Sequence, residues 1–261
     1  NHPYGKYVIA ADYEQLNTAL LKAHYATYYQ KGKCVLFVAG KLHPDTLSLL
    51  NTYFGDLPIH NHKGFYEALA INTQLPVVGG KHQVTNDPNG VQGAIRIARP
   101  FPNRHHPDYT RVMVLNTVFG GFFGSRLMAN IREDKGYTYG IHSYVQNHIG
   151  TTAWMISTEA GRDVCAPAIA EIYKEMEILR NELVDEEELL LVRNYMMGII
   201  LGDLDGPFQI IGRWKNIVLN NLSSDYFYHS IDTIKRITAA DVQALANTYL
   251  QPEQFYELLV I

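Results

Sequence analysis

The chain has 261 residues, of which 47% are hydrophobic and 18% charged, and its formal net charge is −4 at pH 7. This composition is typical of a packed globular protein and excludes a disordered one. The length suits one large domain or two ordinary ones. Because the sequence shows no basic stripe, nothing in it points to nucleic acid as a partner.

The cysteines and the ends of the chain say little about the compartment. Cys34 and Cys165 are too few for a disulfide framework. Cys34 lies in an apolar run and is predicted to behave as a small core residue. No apolar stretch approaches the roughly 20 residues that span a bilayer, and no signal-peptide pattern is visible. Because the sequence begins at Asn1, we interpret it as a mature product or as part of a longer protein.

The first part of the chain predicts a helix, a strand and a second helix. Residues 12–29 carry apolar side chains at helical spacing. These are Leu16, Leu20, Leu21 and Tyr25. The run CVLFVAG ends at Gly40 and is typical of a buried strand, and a helix is expected from about Pro44 to Phe54. Residues 58–80 contain prolines and a double glycine without periodicity, and we predict a linker there.

Residues 81–261 predict a complete sandwich of strands and helices. Two strands are expected on either side of the turn-rich residues 87–90, and a helix from Pro107 to about Phe119. Two alternating runs, YTYGIHSYVQ and TTAWMIST, predict an antiparallel hairpin around residues 147–150. The last residues, FYELLVI, predict a closing strand.

Several helices are predicted between the hairpin and the closing strand. One carries an apolar stripe at spacings of three and four residues. The stripe consists of Ile169, Ile172, Met176, Leu179 and Leu183. Asp185 with Glu188, and Thr238 with Asp241, resemble capping boxes that begin two further helices.

The densest chemical signal lies in residues 119–140, which read FGGFFGSRLMANIREDKGYTYG. A phosphate-binding loop would need a lysine before a hydroxyl residue, and that lysine is missing, so we reject phosphate binding. The simpler interpretation is a glycine corner between two helices, with Ser125 as a helix cap.

Metal binding and nucleophilic catalysis find no support in the motifs. The chain has 11 histidines, but neither H-E-x-x-H nor H-x-x-E-H occurs. His60 and His62 are close together, but they lie in the predicted linker. No G-x-S-x-G elbow is present in the sequence.

Arg132 and Tyr139 form the one pair whose chemistry suits peptide binding. Arginine offers a fork of donors and tyrosine a hydroxyl, both able to hold a peptide carbonyl or a developing oxyanion. The two side chains converge if the chain reverses at Gly136. The alternative is ordinary packing, because the chain has 18 tyrosines.

The order of these features resembles the pitrilysin–insulinase family of zinc metallopeptidases, the inverted zincins. The opening HPYG and the run YYQKGKCVLFVAGKLHPDTLSLLNTYFGDLP are similar to the second part of that family's catalytic half. The stretch FGGFFGSRLMANIREDKGYTYGIHSY resembles the glycine-rich segment of the non-catalytic half, and RITAADVQALANTYL resembles its closing helix. The similarity extends over nearly all of the chain.

The resemblance implies an α+β fold and a division into domains. Residues 1–57 would be a remnant of the N-terminal catalytic half, residues 58–80 the linker, and residues 81–261 the non-catalytic, substrate-binding half. That half would be a two-layer α/β sandwich of the pitrilysin/LuxS type, with an antiparallel-rich sheet and helices on one face. A partial second half-domain would precede it.

The resemblance also implies site residues and partners. Arg132 and Tyr139 match the residues that face the zinc across the cleft and hold the scissile peptide. The glycine-rich loop, which contacts substrate in some relatives, is matched by Gly120, Gly121, Gly124, Ser125 and Arg126. The zinc ligands and the general base match no position here, so zinc is expected in a missing N-terminal segment or in a partner, and the isolated chain is predicted to be inactive.

Two functions follow from this resemblance. In the first, the chain is the C-terminal part of a zinc-dependent endopeptidase that acts on peptides. In the second, it is a non-catalytic binding or assembly subunit that pairs with a separate zinc-bearing homologue. Either is compatible with a dimer and with a soluble protein, cytoplasmic or periplasmic if bacterial, although the compartment itself is undetermined.

Overall fold

The computed structural model describes residues 6–29, 34–57, 79–148 and 151–261. The chain divides into two compact units, residues 1–65 and 66–261. Most of the predicted linker lies outside the described residues, as do His60 and His62. The linker boundaries therefore stay a prediction.

The described residues of the first unit contain three helices: α1 (Ala10–Glu14), α2 (Thr18–Tyr28) and α3 (Thr46–Phe54). The single helix predicted over residues 12–29 was wrong, because the Asn17 side chain accepts a hydrogen bond from the Leu20 amide and begins α2 there. The strand predicted in CVLFVAG was also wrong: residues 34–39 are not part of a strand. Cys34 is exposed, and none of the described residues of this unit is buried.

The second unit is built on a five-stranded sheet within the described residues. Its strands are β1 (Gly80–Val84), β2 (Gln92–Pro100), β3 (Thr138–His148), β4 (Thr151–Gly161) and β5 (Tyr256–Val260), in the spatial order β1-β5-β2-β4-β3. Only the β1–β5 pair is parallel. This confirms the predicted antiparallel-rich sheet and the β3–β4 pairing. The two strands around residues 87–90 are not neighbours, because β5 lies between them.

Six α-helices in the described part of this unit complete the fold. They are α4 (Tyr109–Asn116), α5 (Cys165–Asn181), α6 (Glu186–Gly202), α7 (Pro207–Leu219), α8 (Asp225–Arg236) and α9 (Ala239–Tyr249). Each of these, like the helices of the first unit, is too short or too polar to cross a bilayer.

The two predicted capping boxes have different outcomes. Thr238 and Asp241 exchange both hydrogen bonds at the start of α9, as predicted. Asp185 accepts a hydrogen bond from the Glu188 amide and caps α6. The Glu188 carboxylate does not return the bond, because it is bound to Arg126 instead.

The core lies between the sheet and the helices α5 and α9. Burial alternates along β2, where Ile95 and Ile97 are fully buried and the residues between them are partly exposed. The apolar stripe of α5 is buried as predicted, except that Leu183 lies beyond the end of the helix and is exposed. The α/β sandwich predicted from the sequence is confirmed.

A buried polar network ties α4 to the hairpin. The Asn116 side-chain oxygen accepts hydrogen bonds from the Ser143 hydroxyl at 2.7 Å and from the Trp154 indole at 2.8 Å. The indole also contacts the Ser143 hydroxyl at 2.7 Å. Because all three residues are buried, each donor depends on these partners and not on water.

Replacing Asn116 tests this network. We expect Asn116→Ala to lower the free energy of unfolding by about 2 kcal/mol, because buried donors lose their acceptor. The matched control is Asn194→Ala on the exposed side of α6, which should change stability by less than about 0.5 kcal/mol. Urea unfolding, followed by circular dichroism, measures the stability of both variants. Equal losses of stability would contradict a stabilising role for the buried Asn116 network.

Candidate functional site

The glycine-rich residues form a tight corner between two π-helical segments, Thr117–Gly121 and Met128–Asp134. Gly120 departs from helical geometry and lies directly against β3. A Cβ at Gly120 would be 2.7 Å from the Ser143 Cβ and 2.9 Å from the Ser143 amide nitrogen. A Cβ at Gly121 would be 3.0 Å from the Asn116 side-chain nitrogen. The glycines are therefore required by close packing.

Gly124 and Ser125, two further residues that the sequence predicted for the site, lie within the same corner. A Cβ at Gly124 would approach the Phe122 ring to 2.8 Å. Ser125 is buried, and its hydroxyl has no hydrogen-bond partner in the part of the chain that the structure describes. The sequence predicted Ser125 as a helix cap, but its side chain does not cap the segment that follows.

Arg126 is held by an acidic side chain. Its guanidinium donates two hydrogen bonds to Glu188, from Nε at 2.9 Å and from Nη2 at 2.8 Å. This hydrogen bonding raises the pKa of Arg126 and fixes its charged form. Nearby, Asn130 donates to Glu171 and Glu175, and burial raises the pKa of Glu175. These bonds anchor the corner to α5 and α6.

Arg132 lies beside the backbone of Tyr139, whereas the predicted convergence of the two side chains stays a prediction. Gly136 has a φ of 65°, a left-handed conformation that favours glycine, and it reverses the chain between the helical segment and β3. The Arg132 Nε then donates to the Tyr139 backbone carbonyl at 3.0 Å. The contact is to the backbone of Tyr139, which leaves its phenol free to face solvent.

Tyr139 lies in an irregular part of the sheet. The register shifts between Thr138 and Ile141, so that Tyr139 and Gly140 face one residue of β4. Such a bulge redirects side chains and is frequent next to binding sites. The Tyr139 side chain is 95% exposed, which is unusual for a tyrosine in a strand.

Phe123 is a surface residue that the sequence analysis missed. The Arg132 guanidinium lies over its ring, 4.7 Å from the ring centre, and Phe123 is 61% exposed. The sequence feature that could have indicated Phe123 is its place as an aromatic residue within the glycine-rich corner. Arg132 contacts the Phe123 ring and the Tyr139 backbone, and we call these three residues the Arg132 patch.

The described residues do not provide a zinc site. In the ranges that the structure covers, no three side chains of the histidine, cysteine, aspartate or glutamate type gather closely enough to hold a metal ion. The carboxylates of Glu188 and Glu175 near the corner instead accept hydrogen bonds from Arg126 and Asn130.

Comparison with known proteins identifies a family. The sequence profile described as "Peptidase M16 inactive domain" matches residues 15–196. A Mycobacterium leprae protein named as an uncharacterized zinc protease is 22% identical over 253 residues, which cover 96% of this chain and 56% of that protein.

Solved structures share the fold. A protease from Helicobacter pylori superimposes with a TM-score of 0.79 at 16% identity, covering 97% of this chain and 61% of that one. A peptidase M16 inactive domain from Pseudomonas fluorescens gives a TM-score of 0.64 at 22% identity, and the match covers 70% of this chain and 43% of that one. The chain spans about half the length of the curated relatives that it matches.

The glycine corner can be tested with a matched pair of substitutions. Gly120→Ala should destabilise the protein by roughly 1–3 kcal/mol, because the new methyl group overlaps β3. Gly198→Ala, in the exposed interior of α6 with no atom within 4 Å of its Cβ, should be neutral or stabilise by up to about 1 kcal/mol. Thermal unfolding of both variants is the measurement. If the Gly120→Ala variant is as stable as the Gly198→Ala variant, the close packing of Gly120 against β3 is wrong.

Proposed function

Because the chain belongs to the peptidase M16 inactive-domain family, we propose that it supplies the peptide-binding wall of a zinc-dependent metalloendopeptidase. The observation that carries this proposal is the contact of Arg132 with the backbone of Tyr139, whose phenol is exposed to solvent. A patch formed only for packing would bury these side chains, and Tyr139 is almost fully exposed.

The contacts of Arg132 favour a binding role. One of its donors is used on the Tyr139 carbonyl, and the guanidinium lies over the Phe123 ring. These two contacts hold the side chain in one orientation without consuming its charge. Its nearest carboxylate is that of Glu133, at 3.8 Å, and this partly exposed pair is weak. The remaining N–H groups can donate to a peptide carbonyl, with the Tyr139 hydroxyl as a second donor.

The glycine-rich loop has two roles in this proposal. Gly121 and Gly124 are exposed and can present backbone to an extended peptide. Gly120, Ser125 and Arg126 are buried or ion-paired and hold the corner in place. All five stay predicted substrate-binding residues. Gly121 and Gly124 would contact the peptide directly. Gly120, Ser125 and Arg126 would hold the loop in the position that permits this contact.

We further propose that residues 1–57 belong to a second half whose remainder carries the zinc. Apolar side chains of α2 and α3 have no core of their own, since nothing in the described ranges 6–29 and 34–57 is buried. Apolar surface of this extent normally packs against a partner. The relatives are about twice as long as the match, which supports a partner within the same polypeptide.

The alternative function is a non-catalytic subunit that pairs with a separate zinc-bearing homologue. It uses the same fold and the same partner surface, so it differs only in where the zinc ligands are encoded and in whether the Arg132 patch is needed for turnover. The presence of Arg132 together with the exposed Tyr139 favours a protein that handles peptide.

The first functional prediction concerns the chain alone. Purified protein supplied with Zn²⁺ should not hydrolyse a fluorogenic unstructured peptide, whereas addition of the zinc-bearing half should produce activity. Zinc-dependent turnover by the chain alone, abolished by a chelator, would contradict the proposal.

The second prediction concerns the patch in the active assembly. Arg132→Ala should lower kcat/KM on the order of a hundredfold, the scale of losing one donor to a developing oxyanion. Tyr139→Phe should lower it roughly tenfold, the scale of one neutral hydrogen bond. Tyr228→Phe changes an exposed tyrosine of α8 and is the control. If both patch variants fold normally and their kcat/KM is unchanged, Arg132 and Tyr139 do not bind substrate and serve only in packing.

A further inference from the structure

The second unit contains a cavity of about 470 Å³ between α4, β3, α6 and α8. Its volume is in the range of small-molecule sites, about 300–1,000 Å³. One wall is apolar and consists of Met113, Met196, Ile199, Ile200 and Ile234. These residues come from three helices, so the wall is broad enough for an aliphatic or aromatic group.

One polar cluster of the cavity lining consists of Arg104, Tyr109 and Asn147. The Arg104 guanidinium lies over the Tyr109 ring, 5.4 Å from its centre. Asn147 donates to the Tyr109 hydroxyl at 2.7 Å. Two buried atoms of this cluster, Arg104 Nε and Asn147 Oδ1, have no hydrogen-bond partner among the described residues. Buried polar atoms without partners are costly. The unpartnered Arg104 N–H calls for an acceptor from a further molecule, whereas Asn147 Oδ1 is itself an acceptor and calls for a donor.

The charge of the lining is positive. Arg104 and Arg213 line the cavity, and no aspartate or glutamate does. Arg213 is neutralised by Asp203, but Arg104 forms no ion pair within the described residues. Burial raises the pKa of Tyr109, so its hydroxyl keeps its proton at neutral pH. Because that oxygen already accepts from Asn147, the hydroxyl hydrogen is free to donate.

We propose that this cavity binds an apolar molecule that ends in a carboxylate. The Arg104 guanidinium and the Tyr109 hydroxyl would donate to the carboxylate, and the apolar group would lie along the methionine and isoleucine wall. A carboxylate is matched to arginine by both charge and geometry. The chemistry is shared by two sources, the free C-terminus of a peptide with an apolar last residue and a free aliphatic acid. The inference rests on the cavity alone and is independent of the peptidase assignment.

Calorimetric titration of the purified protein tests the proposal with paired probes. Octanoate is compared with octanamide, and acetyl-alanyl-leucine with its C-terminal amide. At least one acid should bind saturably and roughly tenfold or more tighter than its amide. Binding of octanoate alone assigns the free acid, and binding of the peptide acid alone assigns the C-terminus. Absence of saturable binding for both acids, or equal binding of acid and amide, overturns the proposal.

Two variants locate the binding. Arg104→Gln should remove the preference for acid over amide, and Asn147→Asp should weaken acid binding by placing a like charge beside the carboxylate. Arg236→Gln alters an exposed arginine at the end of α8, outside the cavity lining, and should have no effect. Circular dichroism confirms that each variant is folded. Acid binding that survives both cavity variants unchanged would overturn the assignment to this site.

Discussion

The close approach of Gly120 to β3 is the contact on which the site depends. It lets the helical segment after α4 turn sharply and lie against the edge strand, with Ser143 directly opposite. The same serine belongs to the buried network with Asn116 and Trp154. The corner and the core are therefore joined at one residue, and the corner cannot move without disturbing buried hydrogen bonds.

The Arg132 patch is a consequence of this arrangement. Once the corner is fixed, the segment Met128–Asp134 runs to Gly136, where the chain reverses into β3. The ion pair of Arg126 with Glu188 and the bonds of Asn130 to two glutamates hold that segment on the helical layer. The bulge at Tyr139 then directs the phenol outward. Rigid supports of this kind suit a surface that must hold a substrate in one orientation.

The sequence predicted most of the second unit because its local signals agree with one another. Periodicity, turn residues and caps gave the strands, the stripe of α5 and the start of α9 correctly. The first unit was less predictable. Its apolar run at residues 34–39 has the pattern of a buried strand, but a strand needs a neighbour to pair with, and the described residues place none there. A short-range pattern does not reveal whether its partner is present.

At the site, the residue types were predictable but their contacts were not. The reversal at Gly136 could be read from the sequence, whereas the partner of Arg126 lies 62 positions away in the chain. Phe123 was overlooked because an aromatic residue beside glycines suggests packing. The cavity beside Arg104 had no sequence signal at all, because its walls come from elements far apart in the sequence that only the fold brings together.

The most direct test of the central claim is hydrogen exchange measured with and without an unstructured peptide. The account predicts slower amide exchange around residues 121–124 and 139–140, with little change in α7. Protection confined to other surfaces, with these amides unaffected, would contradict a peptide-binding role for the Arg132 patch.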